Sequence, residues 1–163
     1  MQHTLLIMQY LTFTYMENRM LRSHHVNVHR TNMDAEALKK LAIANCNEFG
    51  RLWNEPNKSL EKLVEDIYNT DAVIYPPGSP PITGLTNIST FFQVFPNNFK
   101  VHGSIAKVKS LGEDSYFAIC SIQGTIDGKE VDRFSSCEEW TKKNGVWKLS
   151  SDFWNSDYEK VNY

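Results

Sequence analysis

Apolar residues recur at helical spacing in two segments that follow Asp34. From Asp34 onwards they lie three or four residues apart, and this spacing predicts a long helix that ends before Pro56. The spacing returns after Ser59, a residue type that commonly caps helices, and predicts a second, shorter helix as far as Ile67. The chain between Asp34 and Ile67 is therefore predicted to be helical on both sides of one turn.

The segment that follows changes character twice. Residues 71–75 are mostly apolar and partly β-branched, which is typical of a buried strand. Residues 76–81 contain four prolines, which lack the N–H that a sheet requires and restrict the residue before them. After Gly84, apolar residues return at helical spacing as far as Phe95. The pattern predicts a strand, a rigid elbow and a short helix, in that order.

The remainder of the chain alternates between strand-like runs and turn signals. Asp127-Gly128 and Asn144-Gly145 are dipeptides that form tight turns between antiparallel strands. With a turn around residues 112–114, they separate four predicted strands over residues 99–111, 115–126, 130–142 and 146–155. Helices followed by a run of strands predict an α+β fold, with the helices on one face of a curved antiparallel sheet.

Two of these segments resemble a known family. An Asp-Ala-containing strand that leads into Pro-x-Gly-x-x-Pro, over residues 71–81, is similar to the SnoaL-like members of the nuclear transport factor 2-like superfamily. The superfamily also includes ketosteroid isomerase and the polyketide cyclases. Residues 145–157 look like its closing strand, and the resemblance covers residues 34–157. It implies a cone-shaped, cystatin-like fold, in which the curved sheet wraps around the N-terminal helices and leaves a pocket at its mouth.

The N-terminal residues are expected to lie outside this domain. Residues 4–16 are moderately apolar but too short to span a bilayer. A secretory signal begins with basic residues, whereas no Lys or Arg precedes Arg19. We therefore predict a dispensable extension over residues 1–32, a SnoaL-like domain over residues 33–163, and a cytoplasmic location.

Composition excludes several classes of partner and cofactor. The net charge of −2 argues against nucleic acid or a membrane surface as the main partner. The three cysteines, Cys46, Cys120 and Cys137, are widely spaced, and His102 is the single histidine of the predicted domain, so no metal site is predicted. The sequence has no phosphate-binding loop or dinucleotide fingerprint, and no cofactor is expected.

The resemblance implies which residues line the pocket. In the family, the first long helix, the elbow and the inward residues of the later strands surround it. The corresponding ligand-binding candidates in this chain are Trp53, Phe92, His102, Tyr116, Cys137 and Trp154. Side chains alternate between the two faces of a strand, so a register slip of one residue would exchange the strand candidates for their neighbours.

Tyr75 and Asp152 are the catalytic candidates. In ketosteroid isomerase a carboxylate base precedes the proline of the elbow, and the resemblance puts Tyr75 at that position. A phenol is a poor base at neutral pH, so the characteristic base of the isomerase is missing. Asp152 lies in an aromatic-rich strand and has two interpretations. It faces the pocket within reach of Tyr75 or His102 as an acid or base, or it is a structural partner of Arg51 or Arg133.

Two hypotheses of function follow. The first is a domain that binds a small apolar molecule in the cone, as a cofactor-free enzyme of the isomerase or cyclase type. The second is a non-enzymatic module that forms homodimers or binds a protein through the open face of the sheet. Apolar residues of the last strands would supply that face, and the candidates are Phe117, Ile119, Phe134 and Trp140.

Overall fold

The computed structural model describes residues 33–157, which form three helices and six strands. In chain order the elements are α1 (Ala35–Asn54), α2 (Leu60–Ile67), β1 (Tyr68–Tyr75), β2 (Ile82–Thr83), α3 (Leu85–Phe92), β3 (Phe99–Gly112), β4 (Ser115–Ile126), β5 (Lys129–Lys143) and β6 (Val146–Ser156). The α+β prediction is confirmed. The extension predicted over residues 1–32 lies outside the described residues, so the domain boundary stays a prediction.

All six strands form one sheet in the order β2-β1-β6-β5-β4-β3. β3, β4, β5 and β6 are a continuous antiparallel meander, whereas β1 pairs with β6 in parallel. Irregularities interrupt the pairing within β3–β4, β4–β5 and β5–β6, and such bulges bend and twist a strand. They account for the curvature of the sheet around α1, which packs mainly against β3.

The tight turns follow the sequence prediction. Asp127 and Gly128 have φ values of 51° and 77°, and Asn144 and Gly145 have φ values of 52° and 82°. Positive φ at both central residues is the requirement of the type I′ turn that connects β4 to β5 and β5 to β6.

The elbow is more ordered than its prolines suggest. Ile82 and Thr83 pair back on Ile74 and Val73 of β1, which forms the two-residue strand β2. Gly84 then turns the chain into α3 with a φ of 84°, a value that glycine adopts without strain. α3 ends at Phe92 rather than Phe95, since the backbone N–H groups that follow donate to carbonyls only three residues back.

The two faces of the sheet differ in burial. The inner face, which contacts the helices, carries Phe134, Ser136, Glu138 and Trp140 of β5, all buried. The outer face carries the alternate residues, which are exposed or half-buried. Phe117 and Ile119 lie on the outer face as expected, but Phe134 and Trp140 were placed there wrongly, because the register gives β5 the opposite alternation.

Within residues 33–157, no helix is long and apolar enough to cross a membrane.

Candidate functional site

An apolar cavity lies between the helices and the inner face of the sheet. Its volume is about 60 Å³, and it is partly open. Most of its lining residues are aromatic or aliphatic, and they come from α1, from α3 and the turn after it, and from every long strand. They are Phe49, Trp53, Tyr68, Phe92, Phe95, Phe99, Val101, Ile122, Phe134, Ser136, Asp152 and Trp154.

Trp53 is the centre of an aromatic wall of the cavity, which it forms with Phe49, Phe92 and Phe95. Its ring makes edge contacts with Phe92 and Phe95 at centroid distances of 5.2 and 5.5 Å, and it stacks on Phe49 at 5.8 Å. The indole Nε1 donates a hydrogen bond of 3.1 Å to the carbonyl oxygen of Phe99. Because its one polar atom is paired, Trp53 is 3% exposed and fixes the distance between α1, α3 and β3.

Asp152 is the acidic group of this wall. The hydroxyl of Tyr68 donates a hydrogen bond of 2.8 Å to its Oδ2. Among residues 33–157 we find no hydrogen bond to its Oδ1. Asp152 is 9% exposed, so its free oxygen atom is available to a molecule in the cavity and hardly to bulk water.

Glu138 lies next to Asp152 on the neighbouring strand. The two residues are directly opposite each other in the β5–β6 ladder. Trp140 Nε1 and Ser136 Oγ donate hydrogen bonds of 2.9 and 3.1 Å to the Glu138 carboxylate. Glu138 also lines a second cavity, of about 40 Å³, which shares Asp152, Phe49, Val101 and Ile122 with the first. Asp152 therefore lines both cavities, whereas Glu138 lines the second.

Burial changes the acidity of both carboxyl groups. Burial raises the pKa of Asp152 to about 8, the negative charge of Glu138 adds to the rise, and the hydrogen bond from Tyr68 opposes it. Burial also raises the pKa of Glu138, against the hydrogen bonds from Trp140, Cys120 and Ser136. Asp152 is consequently an acid that gives up its proton close to neutral pH, within an apolar cavity.

Similar folds occur among solved structures. A domain of unknown function with a cystatin-like fold from Nostoc punctiforme superimposes with a TM-score of 0.62 and 14% identity, over 77% of this chain and 80% of that one. A ketosteroid isomerase-like protein from Erwinia carotovora atroseptica gives 0.58 and 17%, over 77% and 99%. A hexachlorocyclohexane dehydrochlorinase, LinA-type3, from Novosphingobium barchaimii gives 0.59 and 16%, over 77% and 92%.

The protein has the cystatin-like, nuclear transport factor 2-like fold. No family model matches the sequence, and no curated protein does. Since these three matches are at most 17% identical to this chain, they establish the fold and leave the chemistry to the residues of this chain.

Four of the predicted site residues meet at the cavity of this nuclear transport factor 2-like fold. They are Trp53, Phe92, Asp152 and Trp154. The inward orientation of Asp152 and Trp154 depends on an irregularity in β6, where Trp140 pairs with Leu149 but Glu139 pairs with Ser151. Without that extra residue, alternation from the buried Leu149 would direct Phe153 inward in place of Asp152.

The other four predicted site residues do not line either cavity. Tyr75 stacks on Phe153 at a centroid distance of 4.0 Å, on the outer face. Cys137 pairs with Phe153 on that face, and His102 is exposed between the inward residues Val101 and Gly103. Alternation along each strand explains these positions.

Tyr116 is buried on the inner face but does not line either cavity. Its hydroxyl accepts a hydrogen bond of 2.8 Å from Asn45 Nδ2, and its ring stacks on Trp140. Asn45, a polar residue of α1, is therefore paired with Tyr116 of β4.

The structure gives Asp152 a different partner from those expected from the sequence. Tyr68 takes the place of Tyr75 and His102, while Arg51 pairs with Glu48 and Arg133 pairs with Glu130. Tyr68 was missed because it directly follows α2, three residues before the predicted strand. Glu138 was missed because it adjoins Glu139, and two adjacent glutamates give no signal of which one faces inward.

Within the described part of the chain, no group of three or more His, Cys, Asp or Glu side chains is placed to hold a metal ion.

Proposed function

We propose that the protein binds a small apolar molecule in the aromatic cavity and that Asp152 exchanges a proton with it. This function corresponds to a cofactor-free enzyme of the isomerase or cyclase type. The observation that carries the proposal is the Tyr68–Asp152 pair, a hydrogen-bonded acid in a wall that is otherwise almost entirely apolar. A buried acid in a concave apolar site is a common arrangement for binding and proton transfer.

The acidity of Asp152 suits proton transfer near neutral pH. General acid–base catalysis works best when the pKa of the catalytic group lies close to the working pH, and that of Asp152 is raised to about 8. Tyr68 holds Oδ2, which leaves Oδ1 to reach the ligand. Tyr68 is thus a positioning residue that orients the carboxyl group.

The size of the cavity limits the ligand. An engineered protein cavity of about 150 Å³ holds benzene. The present cavity, at about 60 Å³, accepts a ring of that size when the half-buried side chain of Phe95 moves aside. Neutral ring compounds are therefore the proposed ligand class.

Ring compounds provide a direct test. Cyclohexanone and phenol are expected to change the tryptophan fluorescence, because Trp53 and Trp154 line the cavity. In heavy water, the protein is expected to accelerate deuterium exchange next to the carbonyl group of cyclohexanone, observed by proton NMR. Asp152→Asn removes the acid and is expected to lower that acceleration by ~10²-fold or more.

The adjacent residue offers a matched control. Phe153 lies on the same strand but on the outer face, so Phe153→Ser is expected to leave binding and exchange unchanged. An Asp152→Asn variant that exchanges deuterium as fast as the wild type would refute the catalytic assignment. Failure of both compounds to bind would refute the proposed function as a whole.

A second candidate function is homodimerisation through the outer face of the sheet. It is favoured by Phe153, which is 45% exposed and stacks in parallel on Tyr75. Phe117, Ile119 and Cys137 are half-buried on the same face. Such a group of apolar side chains is suited to a second copy of the chain.

Sedimentation tests the dimer. The wild-type chain is expected to sediment as a dimer at micromolar concentration, and Phe153→Glu, which would bury a charge at the interface, is expected to give a monomer. Trp154→Ala, a change on the inner face of the same strand, is the control and is expected to keep the dimer. A wild-type monomer would contradict the proposed interface.

A cytoplasmic location belongs to the same proposal. Its support is that Cys46, Cys120 and Cys137 are free thiols, as is usual in reducing compartments.

A further inference from the structure

The side chain of Cys46 reaches the sheet from α1. A Cβ atom added at Gly103 of β3 would lie 2.6 Å from the Sγ of Cys46, far inside van der Waals contact. The missing side chain of Gly103 therefore makes the room in which the thiol lies. This close approach brings a cysteine of the helix to the inner face of the sheet.

A second thiol lies beside it. Cys120 belongs to β4, is 1% exposed, and has Ile105 and Ser136 as its partners on the neighbouring strands. Ile105 is two residues from Gly103 on the same face of β3, so Cys120 lies on the strand beside the position that the Cys46 thiol occupies. Glu138 is two residues from Ser136 on the buried face of β5, so Cys46, Cys120 and Glu138 are neighbours on the inner face.

The two thiols differ in access. Cys46 is only partly buried and lines the second cavity together with Gly103 and Glu138, whereas Cys120 is enclosed in the core. A cavity of about 40 Å³ is large enough for a few water-sized molecules, so it admits an oxidant of that size. An oxidant would therefore reach Cys46 first.

We propose that Cys46 and Cys120 form a redox-active thiol pair that a small hydroperoxide oxidises to an intramolecular disulfide, with Cys46 attacked first and Cys120 as the resolving thiol. The inference rests on the thiol geometry and is independent of the proposed ligand. Cys137, on the opposite face of the sheet, takes no part.

The chemistry proceeds in two balanced steps. The sulfur of Cys46 attacks the peroxide O–O bond, becomes a sulfenic acid, and releases water from hydrogen peroxide. The sulfur of Cys120 then attacks the sulfenic sulfur, the S–O bond breaks, and a second water molecule leaves as the S–S bond forms. Each peroxide accepts two electrons, one from each cysteine sulfur.

Neighbouring groups assist these steps. The hydrogen bond from Cys120 lowers the pKa of Cys46, against burial and the charge of Glu138, and so favours the reactive thiolate at Cys46. The same contact, together with burial, raises the pKa of Cys120. Glu138, a neighbour of Cys120 on the inner face, is placed to accept the proton when Cys120 attacks.

Oxidation would also reach the acidic site. The disulfide would remove the Cys120 hydrogen bond from Glu138, a bond that holds the pKa of Glu138 down. Because Glu138 is opposite Asp152 in the ladder, the redox state of the pair would alter the charge beside Asp152.

The test uses the full chain and hydrogen peroxide. After treatment with a small molar excess, the intact mass is expected to fall by two hydrogen atoms, and a reducing agent is expected to restore it. Trypsin separates the three cysteines, because Lys or Arg residues lie between them. Peptide mapping without reduction is expected to show Cys46 linked to Cys120 and Cys137 free.

Single variants separate the two roles. In Cys120→Ser, the Cys46 sulfenic acid is expected to persist and to be trapped by dimedone, whereas Cys46→Ser is expected to give no adduct at Cys120. Cys137→Ser is the matched control and is expected to form the disulfide as the wild type does.

Three results would overturn the inference. These are a disulfide that contains Cys137, a wild-type mass that does not fall under peroxide, and sulfenic acid at Cys120 in place of Cys46. The wild-type peptide map decides the first and the wild-type intact mass decides the second, so the inference remains testable even if a serine variant does not fold.

Discussion

The folded protein is expected to lose stability as the pH rises from about 5 to about 9. The pKa of Asp152 is raised to about 8 by burial, whereas an aspartate in an unfolded chain has a pKa close to 4. Between these values the folded state holds a proton that the unfolded state releases, so the free energy of unfolding falls as the pH rises. The loss amounts to at most ~1.4 kcal/mol per pH unit for this group.

The direction of the effect follows from a raised pKa. The contribution of Asp152 to stability is complete below the pKa of the unfolded chain and is lost as the pH rises through about 8. The pKa of Glu138 is raised as well, so it acts in the same direction. Urea unfolding at a series of pH values measures the slope.

Asp152→Asn is the control for this prediction. The amide keeps the shape of the side chain but does not titrate, so the variant is expected to have a shallower pH slope and to be more stable than the wild type at about pH 9. A wild-type stability that stays level or rises over this range would show that Asp152 is not a buried acid with a raised pKa.

Replacing Trp53 by alanine is expected to destabilise the domain by ~3–5 kcal/mol, the range observed for truncating large buried aromatic residues. Trp53 is 3% exposed, contacts Phe92 and Phe95 edge-on, and is hydrogen-bonded to the backbone of Phe99. The free energy of unfolding of a typical domain is about 5–15 kcal/mol, so the loss would be a large share of the total. Urea unfolding followed by circular dichroism measures it.

Trp154→Ala is the matched comparison. Trp154 lines the same cavity but is only partly buried, so its truncation is expected to cost less than that of Trp53. Equal losses for both variants would mean that Trp53 is not the centre of the aromatic wall.

Local signals in the sequence predicted the fold well. The helical spacing after Asp34 and Ser59 gave α1 and α2, and the Asp127-Gly128 and Asn144-Gly145 dipeptides located two hairpins. These signals depend on a few adjacent residues and on backbone preferences that hold in most contexts. The strand β2 was missed, since two residues after a proline pair form a strand only when β1 is beside them.

The candidate site was only partly predictable, because side-chain orientation depends on register. In β6, the irregularity between Leu149 and Ser151 brings Asp152 inward and leaves Phe153 outside. In β5, either Glu138 or its neighbour Cys137 could face inward, and alternation alone does not decide which of them does. Tyr68 could be recognised only when its long-range contact with Asp152, 84 residues away, was known.

Native mass spectrometry of the full chain tests the central claim, that the aromatic cavity beside Asp152 holds a small molecule. The account predicts an added mass on the wild-type chain in the presence of cyclohexanone or phenol. Trp154→Ala is expected to weaken that binding and Phe153→Ser to leave it intact, because these neighbours face opposite sides of the sheet. A wild-type chain that carries no added mass with either compound would contradict the account, as would binding that is lost only in Phe153→Ser.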